Sequence, residues 1–275
     1  MAETKCYGWS VGSHKNSGQA AVPELVSFNV GLCCRCGPHK LLIVGQKREM
    51  EREGNRVMKR LKKIICWTAA SSLLLVFLVS APILWGMRPT KGPRIGKYAA
   101  PRAALLIIDI QEDYTGPQAK KRFRDGDRIV RVSNALLAQA QAKGTVVIYI
   151  KNVIDNPIVS VFTGGLNAPD SPGTEMDSRL IRVPGAMTFT KSRSDAFSNL
   201  ELDAHLRENR VDQLLLTGLD GAYCVNATAR GALNRGYRVT LFQEGIATES
   251  SKSIEKLAQS WREAGAQVKA GTGEM

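Results

Sequence analysis

Past residue 102 this 275-residue chain has a single cysteine, Cys224. A lone thiol cannot staple its own domain, so no disulfide framework exists there and a hydrophobic core must do the holding. A charge imbalance is missing as well, because residues 103–275 carry 21 Lys+Arg against 20 Asp+Glu. A nucleic-acid interface needs a basic face from which counterions are released, so that partner is excluded for this part of the chain. Also missing is a Gly-x-Gly-x-x-Gly after the first strand-like run, where Asp109-Ile110-Gln111 stands instead. That removes a dinucleotide-dependent oxidoreductase.

What the domain lacks, the front of the chain has. Of the formal net charge of +13, +12 comes from residues 1–102, with 17 Lys+Arg against 5 Asp+Glu. These charges flank Ile64–Trp85, which reads IICWTAASSLLLVFLVSAPILW, twenty-two residues without a charge. As a helix it would cover roughly 33 Å, enough for the ~30 Å hydrocarbon core. A buried core helix would show a polar face and sparser basic flanks, so residues 64–87 are expected to be a transmembrane helix or signal anchor. Upstream stand Arg48, Arg52, Arg56, Lys59, Arg60, Lys62 and Lys63; downstream stand Arg88, Lys91, Arg94, Lys97 and Arg102. The denser upstream cluster favours that end inside, which puts the following domain on the extracytoplasmic, periplasmic side. Cleavage near Val79-Ser80-Ala81 would instead release it as a secreted protein, although the apolar run outlasts a normal signal and Pro82 would follow the cut.

Residues 1–63 are basic, with no sustained apolar period in the first 57, and are expected to be disordered. Since Met58 opens an ordinary membrane-targeting sequence, residues 1–57 read as an upstream extension from a mis-assigned start. Cys33, Cys34, Cys36 and His39 are too crowded for the paired spacing of a zinc site. Residues 88–102, rich in Pro and Gly, read as a linker.

From 103 to 275 short apolar runs alternate with amphipathic stretches. Strands are expected at 103–109, 145–151, 187–191, 211–218, 237–242 and 266–269, and helices at 124–143, 200–209, 223–235 and 252–264. Continuously apolar strands with helical crossovers indicate a parallel sheet covered on both faces. In such sheets reacting groups collect at the carboxyl ends of strands. Three candidates sit there. Asp109 ends a strand in LLIIDIQEDY, Lys191 ends one in MTFTKSRSDAF, and Cys224 follows one at the start of a helix. Each alone is ordinary: a capping acid, a solvated lysine, a small buried thiol. Together they suggest a mechanism. Helix N–H groups and a nearby ammonium lower a thiol's pKa, and a carboxylate takes its proton and returns it to a leaving amine.

With AALLIIDIQEDY, FTKSRSDAF and TGLDGAYCVNATARGALNRGYRVTL in order, residues 103 to 270 resemble the isochorismatase-like cysteine hydrolases, which include nicotinamidases and carbamoylsarcosine and ureidoacrylate-type amidases. The resemblance implies a three-layer α/β/α sandwich with a six-stranded parallel sheet. It also implies an Asp109–Lys191–Cys224 triad, a cis peptide between Leu219 and Asp220, and an oxyanion hole from the N–H groups of Asp220 and Cys224. The activity implied is cleavage of a C–N bond in a small amide, carbamoyl or ureido substrate through a thioester. The alternatives are the vinyl ether cleavage of isochorismatases and a non-catalytic membrane-tethered binding module. Nicotinamidases hold a metal with an Asp and two His between the first strand and the lysine. None of His14, His39 and His205 falls there, so neither metal nor other cofactor is expected. Family members often self-associate, which leaves a homo-oligomer open. The loop 152–174 is expected to line the mouth of the site through Asn152, Phe162 and Asn167. Arg193 could meet a substrate carboxylate or be a solvated surface residue, and Phe197 is expected to pack under the lysine loop.

Overall fold

The computed structural model describes residues 39–273. Its first element, α1 (His39–Gly86), is one uninterrupted helix. Residues 39–63, expected to be disordered, are helical, as a composition rich in Lys, Arg, Glu, Leu and Met favours. Within α1, the stretch Glu49–Leu78 is long and apolar enough to cross a membrane by length and composition. Leu73, Leu74, Leu75, Val76, Phe77 and Leu78 all stay more than half exposed among the described residues. Cys33, Cys34, Cys36 and most of the suspected extension lie outside the described residues.

Six strands follow: β1 (Arg102–Ile108), β2 (Val146–Asn152), β3 (Met187–Lys191), β4 (Val211–Gly218), β5 (Arg238–Ile246) and β6 (Gln267–Lys269). They form one sheet in the order β3-β2-β1-β4-β5-β6, with every pairing parallel. The chain builds outward from β1 in one direction, then restarts on its other side with β4. That reversal opens a crevice beyond the carboxyl ends of β1 and β4.

Side-chain alternation in β1 feeds two cores. Ala104, Leu106 and Ile108 face α5 (Leu200–Glu208), α6 (Cys224–Asn234) and α7 (Ile254–Glu263), through Leu202, Leu206, Val225, Ala229 and Trp261. Leu105 and Ile107 face α3 (Gly126–Ala142), through Ile129, Leu136 and Leu137. Ala104 to Ile108 are fully buried, which explains why this strand reads as an unbroken apolar run.

Two short helices complete the fold: α2 (Glu112–Thr115), and α4 (Pro157–Phe162) within the loop expected to be irregular. The signal for α4 was present, since Asn156 caps Ile158 and Val159 and Pro157 stands at the first helical position. The stretch read as a linker has no regular structure but is tied down. Thr90 donates from N and Oγ1 to Asp195 Oδ2 at 2.6 and 2.7 Å, and Ile95 N donates to Arg235 O at 2.8 Å.

Candidate active site

Asp109 follows β1 in a left-handed backbone conformation, φ 54°, which aspartate tolerates better than most residues. Its N–H donates to Ile150 O at 3.0 Å, carrying the strand pairing one residue past β1. Two residues on, the fully buried Gln111 stitches the ends of β1 and β2. Its Nε2 donates to Asn152 O (3.0 Å) and Thr174 O (2.7 Å), while its Oε1 accepts from Asn152 N (2.9 Å). Lys191 ends β3, in register with Asn152 of β2. Two strand spacings, about 10 Å, separate β3 from β1, so a long side chain is needed to span them.

Cys224 is the first residue of α6. The chain reaches it by a turn at Gly218, whose φ of 127° belongs to glycine and where a Cβ would lie 2.0 Å from Ile108 O. The carboxylate of Asp220 fixes the rest of the turn. It accepts from Ala222 N (2.8 Å), Thr248 Oγ1 (2.6 Å) and Glu249 N (3.1 Å).

The three groups converge. Lys191 Nζ donates to Asp109 Oδ2 at 2.8 Å and to Cys224 Sγ at 3.3 Å, with Asn152 Oδ1 at 3.4 Å. Asp109 and Lys191 are each 2% exposed, so this is an ion pair removed from water. The second carboxylate oxygen, Asp109 Oδ1, is buried and has no hydrogen-bond partner.

Burial pushes the Asp109 pKa above the ordinary carboxylate value, with the Lys191 ammonium opposing it. Burial alone would lower Lys191, yet the negative charges of Asp109 and Cys224 raise it overall. The thiol departs from the sequence expectation of a depressed pKa. Cys224 keeps a partly open face, but desolvation pushes it up to about 12, and the Asp109 charge adds to the rise while Lys191 counters it. A resting thiol beside a carboxylate with raised proton affinity is therefore protonated near neutral pH.

The peptide between Leu219 and Asp220 is trans, not cis as the resemblance implied. Gly218 takes up the bend instead, while Leu219 N donates to Ile108 O (2.9 Å) and Gly221 N to Ala247 O (2.8 Å). Among the described residues neither the Asp220 N–H nor the Cys224 N–H donates to a protein acceptor.

The expected substrate contacts divide. Asn152 touches Lys191 and belongs to the cluster. Phe162, on α4, is 84% exposed. Asn167 is fully buried rather than lining an open mouth; its N–H donates to Asp113 Oδ2 (2.8 Å) and its Nδ2 to Tyr114 OH (2.9 Å). Arg193 is neither a site group nor a freely solvated one. Its guanidinium stacks 3.9 Å over the Trp85 ring and donates to Trp85 O and Arg88 O. Phe197 is buried as expected, beneath the guanidinium of Arg235. His205 packs its ring 5.5 Å from Phe189.

Tyr114 escaped the sequence reading. Burial raises its pKa, and the charges of Asp109 and Cys224 raise it further; its hydroxyl accepts from Asn167 Nδ2 at 2.9 Å. It stands five residues after Asp109 on α2, a helix too short for periodicity to reveal.

A family model for the isochorismatase domain matches residues 103–270. Streptothricin hydrolase from Streptomyces noursei is 32% identical over 148 residues, 54% of this chain and 55% of that protein. N-carbamoylsarcosine amidase from Arthrobacter sp. is 28% identical over 156 residues, 53% of this chain and 59% of that protein. The chain thus spans little more than half the length of these curated relatives. Among solved structures, an isochorismatase family protein from Desulfovibrio vulgaris superposes with a TM-score of 0.57 at 27% identity, covering 62% of this chain and 94% of that one.

Proposed function

The chain belongs to the isochorismatase family, and from that premise we propose that it is a membrane-anchored cysteine hydrolase cleaving a C–N bond in a small amide, carbamoyl or ureido compound. The observation that carries this reading is the Lys191 ammonium, 2.8 Å from the Asp109 carboxylate and 3.3 Å from the Cys224 sulfur. The relatives' names, a streptothricin hydrolase and an N-carbamoylsarcosine amidase, support the choice of bond.

Asp109 takes the Cys224 proton as the sulfur attacks the substrate carbonyl carbon. Its raised pKa and its unpartnered Oδ1 suit it to hold that proton. Negative charge passing to the carbonyl oxygen meets the N–H groups of Asp220 and Cys224. Asp109 then delivers the proton to the leaving nitrogen, the C–N bond breaks, and an acyl or carbamoyl thioester stays on Cys224. Water, deprotonated by Asp109, attacks the thioester; the acid departs and the thiol regains its proton. Lys191 keeps its proton throughout and offsets the negative charge shared by carboxylate and sulfur. With its pKa pushed up by burial, the Cys224 thiol keeps its proton until Asp109 takes it as substrate enters.

The test is a hydrolysis screen of primary amides, ureido acids and carbamoyl compounds with the full chain. Cys224→Ala should abolish turnover of any substrate found while leaving the fold intact. A Cys224→Ala protein with near-wild-type turnover ends the nucleophile assignment.

A further inference from the structure

A second polar site lies where the apolar run ends. Between α1 and the domain is a cavity of about 420 Å³, lined among others by Trp85, Arg88, Lys91, Arg193, Phe197 and Arg235. None of Asp109, Lys191 and Cys224 lines it, and neither does any carboxylate. Asp195 is nearby but sealed, its oxygens occupied by Thr90 and Phe197 N. Arg88 and Lys91 are exposed, and among the described residues neither has a carboxylate within ion-pair distance. Arg193 holds its position through Trp85, yet its Nε is buried with no hydrogen-bond partner. A second hollow, about 410 Å³, shares Arg88, Pro89 and Lys91 and adds Arg230, so the basic surface continues around that ridge.

We propose that this cavity binds the phosphate-bearing headgroup of an anionic phospholipid. Three observations carry the assignment. The walls are cationic and lack acid, which selects an anion, and guanidinium groups match phosphate geometry. Arg193, a residue of the lining, carries a buried donor, Nε, with no hydrogen-bond partner among the described residues. The position selects the source: Trp85 closes the apolar run, and tryptophan at such an end sits at headgroup depth. A lipid phosphate there would meet Arg88 and Lys91, with its glycerol and upper acyl chain beside the indole. The proposal rests on α1 entering a bilayer and is independent of the hydrolase reading.

The test uses the full chain, purified in detergent and examined by native mass spectrometry with phosphatidylglycerol or phosphatidylcholine added. Wild type should retain phosphatidylglycerol preferentially. Arg88→Gln/Lys91→Gln should weaken that retention by at least about fivefold for each cation removed. Arg193→Gln should weaken it likewise, and Arg193→Lys should restore much of it. Neutralising Lys59, Arg60, Lys62 and Lys63 at the far end of the apolar run should leave it largely intact. Equal retention of the two lipids overturns the proposal. So does a preference that follows the far-end charges and ignores Arg88, Lys91 and Arg193, or one that millimolar inorganic phosphate abolishes as readily as added lipid. Alkaline carbonate extraction of the wild-type chain from membranes is the separate control. Release there refutes the anchor itself, whereas retention without lipid preference refutes only the headgroup site.

Discussion

Replacing Lys191 by Met tests the electrostatic core of the site while leaving the Cys224 side chain in place. In the native cluster the ammonium sits 2.8 Å from a carboxylate that is 2% exposed. Methionine fills similar space but leaves Asp109 buried with no cation. Removing one partner of a buried ion pair costs about 3–5 kcal/mol. For a domain of this size each kcal/mol moves Tm by about 2–4 °C, so thermal unfolding should begin roughly 6–20 °C lower. The sign of the pH dependence follows from the carboxylate. Burial already raises Asp109, and loss of Lys191 removes the strongest opposing charge, so its folded pKa climbs further. A folded state that binds its proton more tightly than the unfolded chain loses stability as pH rises from about 4 through the folded pKa. The variant should therefore be more stable at pH 5 than at pH 8, and Asp109→Asn/Lys191→Met should recover most of the loss. Differential scanning fluorimetry across pH reads all three. A single variant as stable as wild type and indifferent to pH would refute the buried ion pair.

Iodoacetamide should label Cys224 slowly at pH 7 and about tenfold faster per pH unit toward pH 10, followed on the Cys224 peptide by mass spectrometry; a plateau below pH 9 would mean a resting thiolate. Asp109→Asn should speed labelling at a given pH, because the carboxylate charge helps hold the thiol pKa up. Gln111→Ala should cost about 1–3 kcal/mol, since it strands Asn152 N, Asn152 O and Thr174 O; unchanged thermal stability would show that water replaces them. Alkaline phosphatase fused after Arg102 should be active if that side faces out of the cytoplasm, and a well-expressed but inactive fusion reverses the orientation.

The sheet was legible because β1, β2 and β4 carry unbroken apolar runs, and the ends that matter fall next to polar residues that stand out. Asp109 interrupts LLIID-I, Lys191 is the charged residue that ends β3, and Cys224 is the thiol that opens the helix after β4. Two facts of the site could not be read that way. Whether a thiol is raised or lowered depends on the balance of burial against a carboxylate and an ammonium, and residue types alone give no distances. The shape of the turn before Cys224 was equally hidden. Resemblance supplied a cis bond, whereas Gly218 bends the chain without one. Tyr114 and Asn167 were missed or misplaced for a related reason, because their roles come from packing between α2 and the loop after α4 rather than from any periodic pattern.

Thr90 supplies two of the donors that let Asp195 stay wholly buried, and Asp195 stands four residues beyond Lys191 on the same loop. A protease cut or a gene truncation anywhere in the glycine- and proline-rich stretch after that threonine would strand an acid under the lysine's own support. The leash therefore counts as part of the folded body, and a shortened version that keeps Asp195 satisfied has to include Thr90.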